Sequence, residues 1–473
     1  MCARLWLYLA IAMLAPIIVG LRTGTEEWKV FAVAAASVYG ASAIVCLTLK
    51  GHKVKFTAKF SFLTVAFLWL STAAVTALPF YLSPIGMSIA DAFFESMSGW
   101  TTTGSTVLTS LDTLPASILL WRSMLQWFGG VGIISVGLLL LPFLRIGGVQ
   151  IFQMESSEKS DKPLAQIIQY ASAIALSYLA LSLACLLAFY FGGMQFPDAV
   201  NHMMATVSSG GFSTYDESFG KFTQPILAWI AIIFMLLSAI PFTIYIRIAL
   251  QLPGKSWGDP QIKAFLTTSI VCVFIVCVYR VFQTDKNVFD ILTESTFAVV
   301  SIITTTGFSY GDYTLWGSLV VGVIFMLMFV GGCTGSTSGG IKVYRWIILF
   351  QSLRNYLARL LHRQGVFQIR YNETTLEQSS CHAVLLFINV YLLTLVFITI
   401  LLAATGLDIL TSFTAAIATL GNVGPGLGDG IGPSGNYAQI SEMAKWILSF
   451  SMMLGRLEIM AILILFSVAF WRD

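Results

Sequence analysis

The sequence is short of charge: of 473 residues only 10% are Asp, Glu, Lys or Arg, while 57% are hydrophobic. A water-soluble domain carries roughly 25% charged residues, because its surface must be hydrated. This chain cannot cover a water-exposed surface of matching size, so lipid is its solvent. The net charge of +3 is small and gives no electrostatic reason to expect nucleic acid as a partner.

Chemistry-bearing residues are scarce as well. The four histidines (His52, His202, His362, His382) lie on different segments and make no metal or triad spacing. The seven cysteines are odd in number, scattered and without a Cys-x-x-Cys pair, so they read as small buried hydrophobes. No Gly-x-x-x-x-Gly-Lys-Ser/Thr phosphate loop occurs. An enzyme is not expected, and nucleotide control would have to come from a separate protein.

What is present is a series of long apolar runs. They predict ten spans, at about 5–22, 28–49, 60–82, 117–144, 164–192, 224–250, 262–283, 315–361 (broken), 380–404 and 439–471. Arg4 before an apolar stretch in residues 1–20 is compatible with a signal peptide, but Thr23-Gly24-Thr25 is a poor cleavage site, so the segment reads as the first span. Taking the N-terminus as cytoplasmic puts 18 of the 26 basic residues on one side. These are Arg4, Lys50, Lys53, Lys55, Lys59, Arg145, Lys159, Lys162, Arg247, Lys255, Lys263, Lys342, Arg345, Arg354, Arg359, Arg363, Arg370 and Arg472. Basic residues gather on the cytoplasmic side, so both termini are expected there.

Between spans, on the outer side, lie four segments too short to cross, at about 90–101, 198–208, 290–304 and 408–420. Such segments predict re-entrant half-helices around a central cavity. Each runs into a short polar stretch: Thr102-Thr103-Gly104-Ser105, Ser209-Gly210-Gly211-Phe212, Thr305-Thr306-Gly307-Phe308 and Asn422-Val423-Gly424-Pro425. The glycines are 107, 96 and 117 residues apart, the mark of tandem duplication. The expected fold is an all-α polytopic membrane protein. Four tandem helix–pore half-helix–helix repeats surround a pseudo-fourfold pore, and two extra N-terminal transmembrane helices precede them. The expected units are 1–55, 56–160, 161–257, 258–372 and 373–473.

Two further positions support the register. Thirteen residues before the glycines stand Asp91, Asp198, Glu294 and Thr411, read as helix caps. After them come Asp112, Asp216, Asp312 and Asp429, read either as a ring attracting cations or as solvated loop.

A cation leaves water only where fixed oxygens replace its hydration shell. Rings of backbone carbonyls from four glycine-containing loops do this for K⁺. Glycine permits the positive φ that lets consecutive carbonyls point inward, and half-helix C-termini aim their negative ends at the cavity. No Asp or Glu occupies the four segments, so a neutral carbonyl filter for a monovalent ion is indicated over a charged ring. Simple helix packing by small residues is the alternative use of these glycines.

The motifs SGWTTTGST (98–106), SSGGFST (208–214), TTTGFSYGD (304–312), TLGNVGPGLG (419–428) and GGCTGSTSGGIK (331–342) resemble those of the Trk/Ktr/HKT superfamily of potassium transporters. The two extra N-terminal helices favour its Trk type over the shorter Ktr type. The resemblance implies that the carbonyls of Thr102, Thr103, Ser209, Gly210, Thr305, Thr306, Asn422 and Val423 coordinate K⁺, with Gly104, Gly211, Gly307 and Gly424 completing the filter. Gly104, in place of serine, favours K⁺ over Na⁺. The partners implied are a second copy of the chain and a TrkA-like cytosolic ring that binds NAD(H) or ATP. The location implied is the bacterial inner membrane. Independently of the resemblance, the basic connections from Arg345 to Arg370 offer a docking surface for a cytosolic protein or anionic lipid.

A gate is also legible. The five glycines within 331–340 cannot continue a helix, each costing roughly 1 kcal/mol. The stretch with Gly335, Ser336, Thr337, Ser338, Gly339, Gly340 and Lys342 is therefore expected as an irregular loop just below the filter. A loop at the membrane edge is the alternative. Arg456 interrupts the last span at a cost of about 2.5–3.5 kcal/mol and should face the cavity or a partner. Either it bonds the loop carbonyls and narrows the path, or it forms a structural ion pair. Symport with H⁺ or Na⁺ is the rival function, for which Glu95 and His202, nine residues before Gly104 and Gly211, are the titratable candidates. Packing is the other use open to both.

Overall fold

The structure, a computed structural model, describes residues 2–50, 57–140, 163–249, 258–372, 374–428 and 430–472. Lys53, Lys55, Arg145, Lys159, Lys162, Lys255 and Asp429 lie outside the described residues. The chain is helical, save for a two-residue antiparallel pairing of Arg370–Tyr371 with Thr374–Thr375 among the described residues.

Burial is inverted relative to a soluble protein. The helix Gln378–Ala403 exposes Leu386, Leu393, Phe397 and Ile400 along one stripe and buries Val384, Phe387, Tyr391 and Leu395 along the other. Lipid-facing helices need apolar residues on both sides. The short helix Ile89–Trp100, in contrast, buries Glu95, Ser96 and Ser98. Polar side chains have been moved to the centre.

The four half-helices fall where the sequence places them, at Ile89–Trp100, Phe196–Val207, Val288–Ile303 and Ile409–Leu420. Each packs between the long helices of its own repeat. In the fourth repeat the helix Glu442–Arg456 packs on the first half-helix, where the ring centres of Phe93 and Trp446 are 4.8 Å apart and Lys445 pairs with Asp91 at 2.6 Å. That contact closes the circle. The two N-terminal spans, Cys2–Thr23 and Glu27–Thr48, pack on each other and against the first repeat.

Among the described residues six helices are long and apolar enough to cross a membrane, or eight if two bent pairs count as spans. The other two expected spans correspond to Ala116–Leu140 and to the broken pair Ser318–Leu327 and Val343–Leu361. The bent pairs correct the sequence reading, which took 224–250 and 439–471 as straight. Pro225–Ser238 meets the next helix at 89°, because Pro241 has no N–H to continue the ladder and the Phe242 N–H turns to the Gly335 carbonyl, 2.9 Å away. Glu442–Arg456 meets Ile459–Phe466 at 111°, with Glu458 at φ 63°. Arg456 is thus the last residue before a corner.

The cap reading needs correction at three places. Ser88, Asn287 and Asp408 are the side-chain N-caps of the first, third and fourth half-helices. Asp91 does return the first of these in a capping box. Asp198 instead accepts from Thr214 and Tyr215 in the stretch after the second glycine segment. Glu294 lies well inside its helix, paired with Arg280 at 2.5 Å and Lys286 at 2.9 Å. Thr411 offers its backbone N–H to Asp408.

Candidate functional site

All four half-helices end the same way. The residue two before each glycine, Thr102, Ser209, Thr305 or Asn422, adopts φ of 52–57°. Its N–H bonds the carbonyl three residues back, and the next N–H bonds the carbonyl five back, as in Thr103 to Ser98, Gly210 to Ala205, Thr306 to Ser301 and Val423 to Ala418, at 2.8–2.9 Å. This is the left-handed helix stop that usually takes glycine. A non-glycine residue there costs roughly 1–2 kcal/mol. Four copies persist because buried neighbours fix them.

The glycine then follows, again at positive φ: 87° at Gly104, 78° at Gly211, 80° at Gly307 and 104° at Gly424. The space around them closes a cycle. A Cβ on Gly104 would collide with the carbonyl oxygen of Gly210, one on Gly211 with Thr306, one on Gly307 with Val423, and one on Gly424 with Thr103. Each glycine meets the residue before the glycine in the next strand, and the fourth returns to the first. Only a ring of four strands about one axis has that pattern.

The loop 331–342 lies against the inner end of this ring. The Gly339 N–H donates to Thr305 Oγ1 at 2.6 Å, Thr337 Oγ1 meets Ser209 Oγ at 2.9 Å, and a Cβ on Gly339 would strike the Gly421 carbonyl. It is held from both corners described above. Cys333 and Thr337 N–H groups bond the carbonyls of Ala239 and Ser238, and Arg456 Nη1 donates to the Thr337 carbonyl at 2.8 Å. Lys342 Nζ caps the Ser338 carbonyl, Ser336 Oγ donates to Cys333, and Gly335 and Gly340 take φ of 83° and 66°. Of Arg456, Nε and Nη2 are buried without a hydrogen-bond partner among the described residues.

Glu95 and His202 both lie behind the ring in packed surroundings. Glu95 pairs with Arg122 at 2.7 Å. His202 bridges the Asp198 carbonyl and Ser213 Oγ, with Phe219, Phe222 and Phe308 around its ring. Asp112 and Asp216 tie loops together by accepting backbone N–H bonds, and Asp312 caps a single turn at Thr314. Arg345 is buried, paired with Glu458 and set 3.7 Å over the Phe387 ring, so only Arg354, Arg359, Arg363 and Arg370 remain exposed in the basic segment.

Sequence reasoning passed over several residues here. Arg122 is a charge inside the expected span 117–144, and a buried cation in a span is a strong flag, though the sequence alone names no partner for it. Gln126, whose Nε2 donates to the Gly210 carbonyl at 2.5 Å, gave no signal in its apolar surroundings. The side chain of Asn422 joins the fourth strand to Thr103 Oγ1 at 2.9 Å and to the Met452 carbonyl at 3.0 Å.

Fold and site together define a multi-pass membrane protein whose four half-helices close one glycine ring. The sequence profile of the TrkH family, described as cation transport protein, matches residues 29–472, and the chain belongs to that family. It is 38% identical over 472 residues to the Trk system potassium uptake protein TrkI of Halomonas elongata, covering 100% of this chain and 96% of that one. Identity to the Trk system potassium uptake protein TrkH of Escherichia coli (strain K12) is 37% over 433 residues, 89% of this chain and 88% of the other. The crystal structure of the potassium transporter TrkH from Vibrio parahaemolyticus superposes with a TM-score of 0.92 at 34% identity, covering 99% of this chain and 98% of that chain.

Proposed function

We propose that this chain is the ion-translocating subunit of a Trk-type K⁺ uptake system in the bacterial inner membrane, with both termini cytoplasmic. The observation that carries the reading is the closed glycine-to-carbonyl cycle. Its members are the carbonyls of Thr103, Gly210, Thr306 and Val423 and the four glycines where no side chain fits; with Thr102, Ser209, Thr305 and Asn422, one residue earlier and at positive φ, they are read as the oxygen donors of a carbonyl filter. Four negative helix ends point at the ring. The 107-, 96- and 117-residue spacings support division into the four repeat units 56–160, 161–257, 258–372 and 373–473, after two helices in 1–55.

In this reading the loop 331–342 is the gate. It lies in the path below the ring, and Arg456 and Lys342 put two cations beside its carbonyls. A passing K⁺ meets their repulsion in a medium of low dielectric. Conduction therefore requires the loop and Arg456 to part. Glu95 and His202 are tied into packed contacts, which favours gated flux over obligate H⁺ coupling. The exposed arginines 354, 359, 363 and 370 suit a cytosolic TrkA-like regulator, and the subunit is read as a homodimer.

The decisive measurement is K⁺ uptake into liposomes holding the purified chain, with Rb⁺ and Na⁺ as competitors and with and without an imposed pH gradient. K⁺-selective flux that ignores the pH gradient is the expected result. Flux that stops when the gradient is removed would favour the symporter.

A further inference from the structure

Behind the ring, the helix Ala116–Leu140 carries Arg122 and Gln126 four residues apart, hence on one face. Arg122 Nε pairs with Glu95 at 2.7 Å, Nη1 donates to the Ser213 carbonyl at 3.0 Å, and Nη2 donates to Thr106 Oγ1 at 3.1 Å. Its guanidinium lies 4.1 Å from the Phe212 ring centre. Glu95 in turn accepts from the Val107 N–H and from Thr106 Oγ1, both at 3.0 Å. Gln126 donates to the Gly210 carbonyl at 2.5 Å and accepts from the Phe212 N–H at 3.0 Å. Both charged side chains are buried, Arg122 1% and Glu95 0% exposed.

The first strand just beyond its glycine and the second strand from Gly210 to Ser213 are therefore bolted to the same helix. The other half of the ring is built differently. The position nine residues before the glycine is Glu95 and His202 in the first two repeats but Ala298 and Ala415 in the last two. The third strand is held by Ser301 Oγ donating to the Phe308 carbonyl at 2.7 Å, and the fourth by the Tyr437 hydroxyl donating to the Gly424 carbonyl at 3.0 Å. Among the described residues these two bonds use no charged side chain.

We propose that Glu95, Arg122 and Gln126 are positioning residues for ion selection: a neutral clamp that fixes the second strand of the ring against the first. Discrimination between K⁺ and Na⁺ then resides more in this half than in the half made by the third and fourth strands. The inference rests on the reading of the ring as the ion filter. The physical reason is that a carbonyl ring selects by the size and number of oxygens it can present. A strand whose carbonyl is held by a donor behind it cannot collapse onto a smaller ion. Neutrality matters equally: the paired charges repel no cation, whereas either one alone would alter the potential at the ring.

The test is the K⁺/Na⁺ flux ratio in liposomes for the wild type, Gln126→Met, Arg122→Lys and Ser301→Ala. Gln126→Met keeps length and removes both bonds to the second strand. Arg122→Lys keeps the charge facing Glu95 but loses the planar fork. Both should lower the ratio about fivefold to tenfold, the worth of one ordinary net hydrogen bond. Ser301→Ala, which removes a single bond from the third strand, should change it less than twofold. Unfolding of the detergent-solubilised protein is followed alongside. A lower Tm with an unchanged ratio would assign the cluster to stability alone and overturn the proposal, as would an equal effect of Ser301→Ala. Should Gln126→Met fail to insert, Arg122→Lys carries the decision. A wild type without K⁺ preference would instead sink the filter reading itself, so the two failures are distinct.

Discussion

The ring and the loop beneath it are both glycine-rich, both buried and in contact, yet they are held in opposite ways. Each strand of the ring bonds two N–H groups back to its own half-helix, a device that occurs four times, and cross-repeat bonds such as Gln126 to Gly210 are added to it. The loop occurs once, and beside its internal bonds, such as Ser336 Oγ to the Cys333 carbonyl, it is held by the corner at 239–241 in the second repeat and the corner at Arg456 in the fourth. A support built into every half-helix leaves the helix stop itself unchanged when repeats move. Distant support makes geometry a readout of that movement. On the proposed reading the same composition serves a filter in one place and a gate in the other, the difference lying in where the partners of the backbone are.

The strongest way to break this comparison is to attack the ring. In Gly211→Ala the new Cβ meets the Thr306 carbonyl, at a φ of 78° that L-residues avoid. K⁺ uptake should fall at least about tenfold, since the left-handed penalty alone is roughly 1–2 kcal/mol before the collision is counted. Isotopic uptake by liposomes checks it, and near-normal K⁺ flux would mean that the strand is not locally fixed.

Attacking the loop should do the reverse. Arg456→Ala removes a charge-assisted bond to Thr337 and a positive charge from the path, so flux should rise about tenfold or more. Thr337→Val keeps that carbonyl and removes the hydroxyl that meets Ser209 and the carbonyls of Val207 and Ser238. A rise of about two- to threefold is expected, with the K⁺/Na⁺ ratio unchanged. A fall in flux for Arg456→Ala in folded protein would show that the arginine holds the path open.

Most of the frame was readable because lipid imposes a coarse rule on composition. Half-helix boundaries fell within two residues, since short polar-tipped segments between long spans have few other uses. The ring was readable because its four copies could be checked against one another. What stayed hidden occurs once. The corner at Pro241 is marked by a single proline, and the corner at Glu458 by nothing at all, because a positive φ at glutamate is imposed by packing. Gln126 was hidden for a related reason. A glutamine in an apolar helix announces a hydrogen bond, but its partner lies 84 residues away on another repeat.

The smallest effect tests separability. Asp408 caps the fourth half-helix at the end away from the ring, accepting from the Thr411 N–H at 3.0 Å. Hydrogen bonds from the Thr411 hydroxyl and N–H hold its carboxyl below the usual carboxylate range. Its contribution is full above the unfolded value of about 4 and is lost as pH falls through the depressed folded value. Asp408→Ala should therefore lower Tm by roughly a degree at neutral pH, with the gap to wild type closing in acid. Because the C-terminal stop of that half-helix is made by its own last residues, the K⁺/Na⁺ ratio should not respond. A ratio that shifted with a cap at the far end would mean that the strands are tuned along whole half-helices, and the contrast between locally held ring and remotely held loop would have to be abandoned.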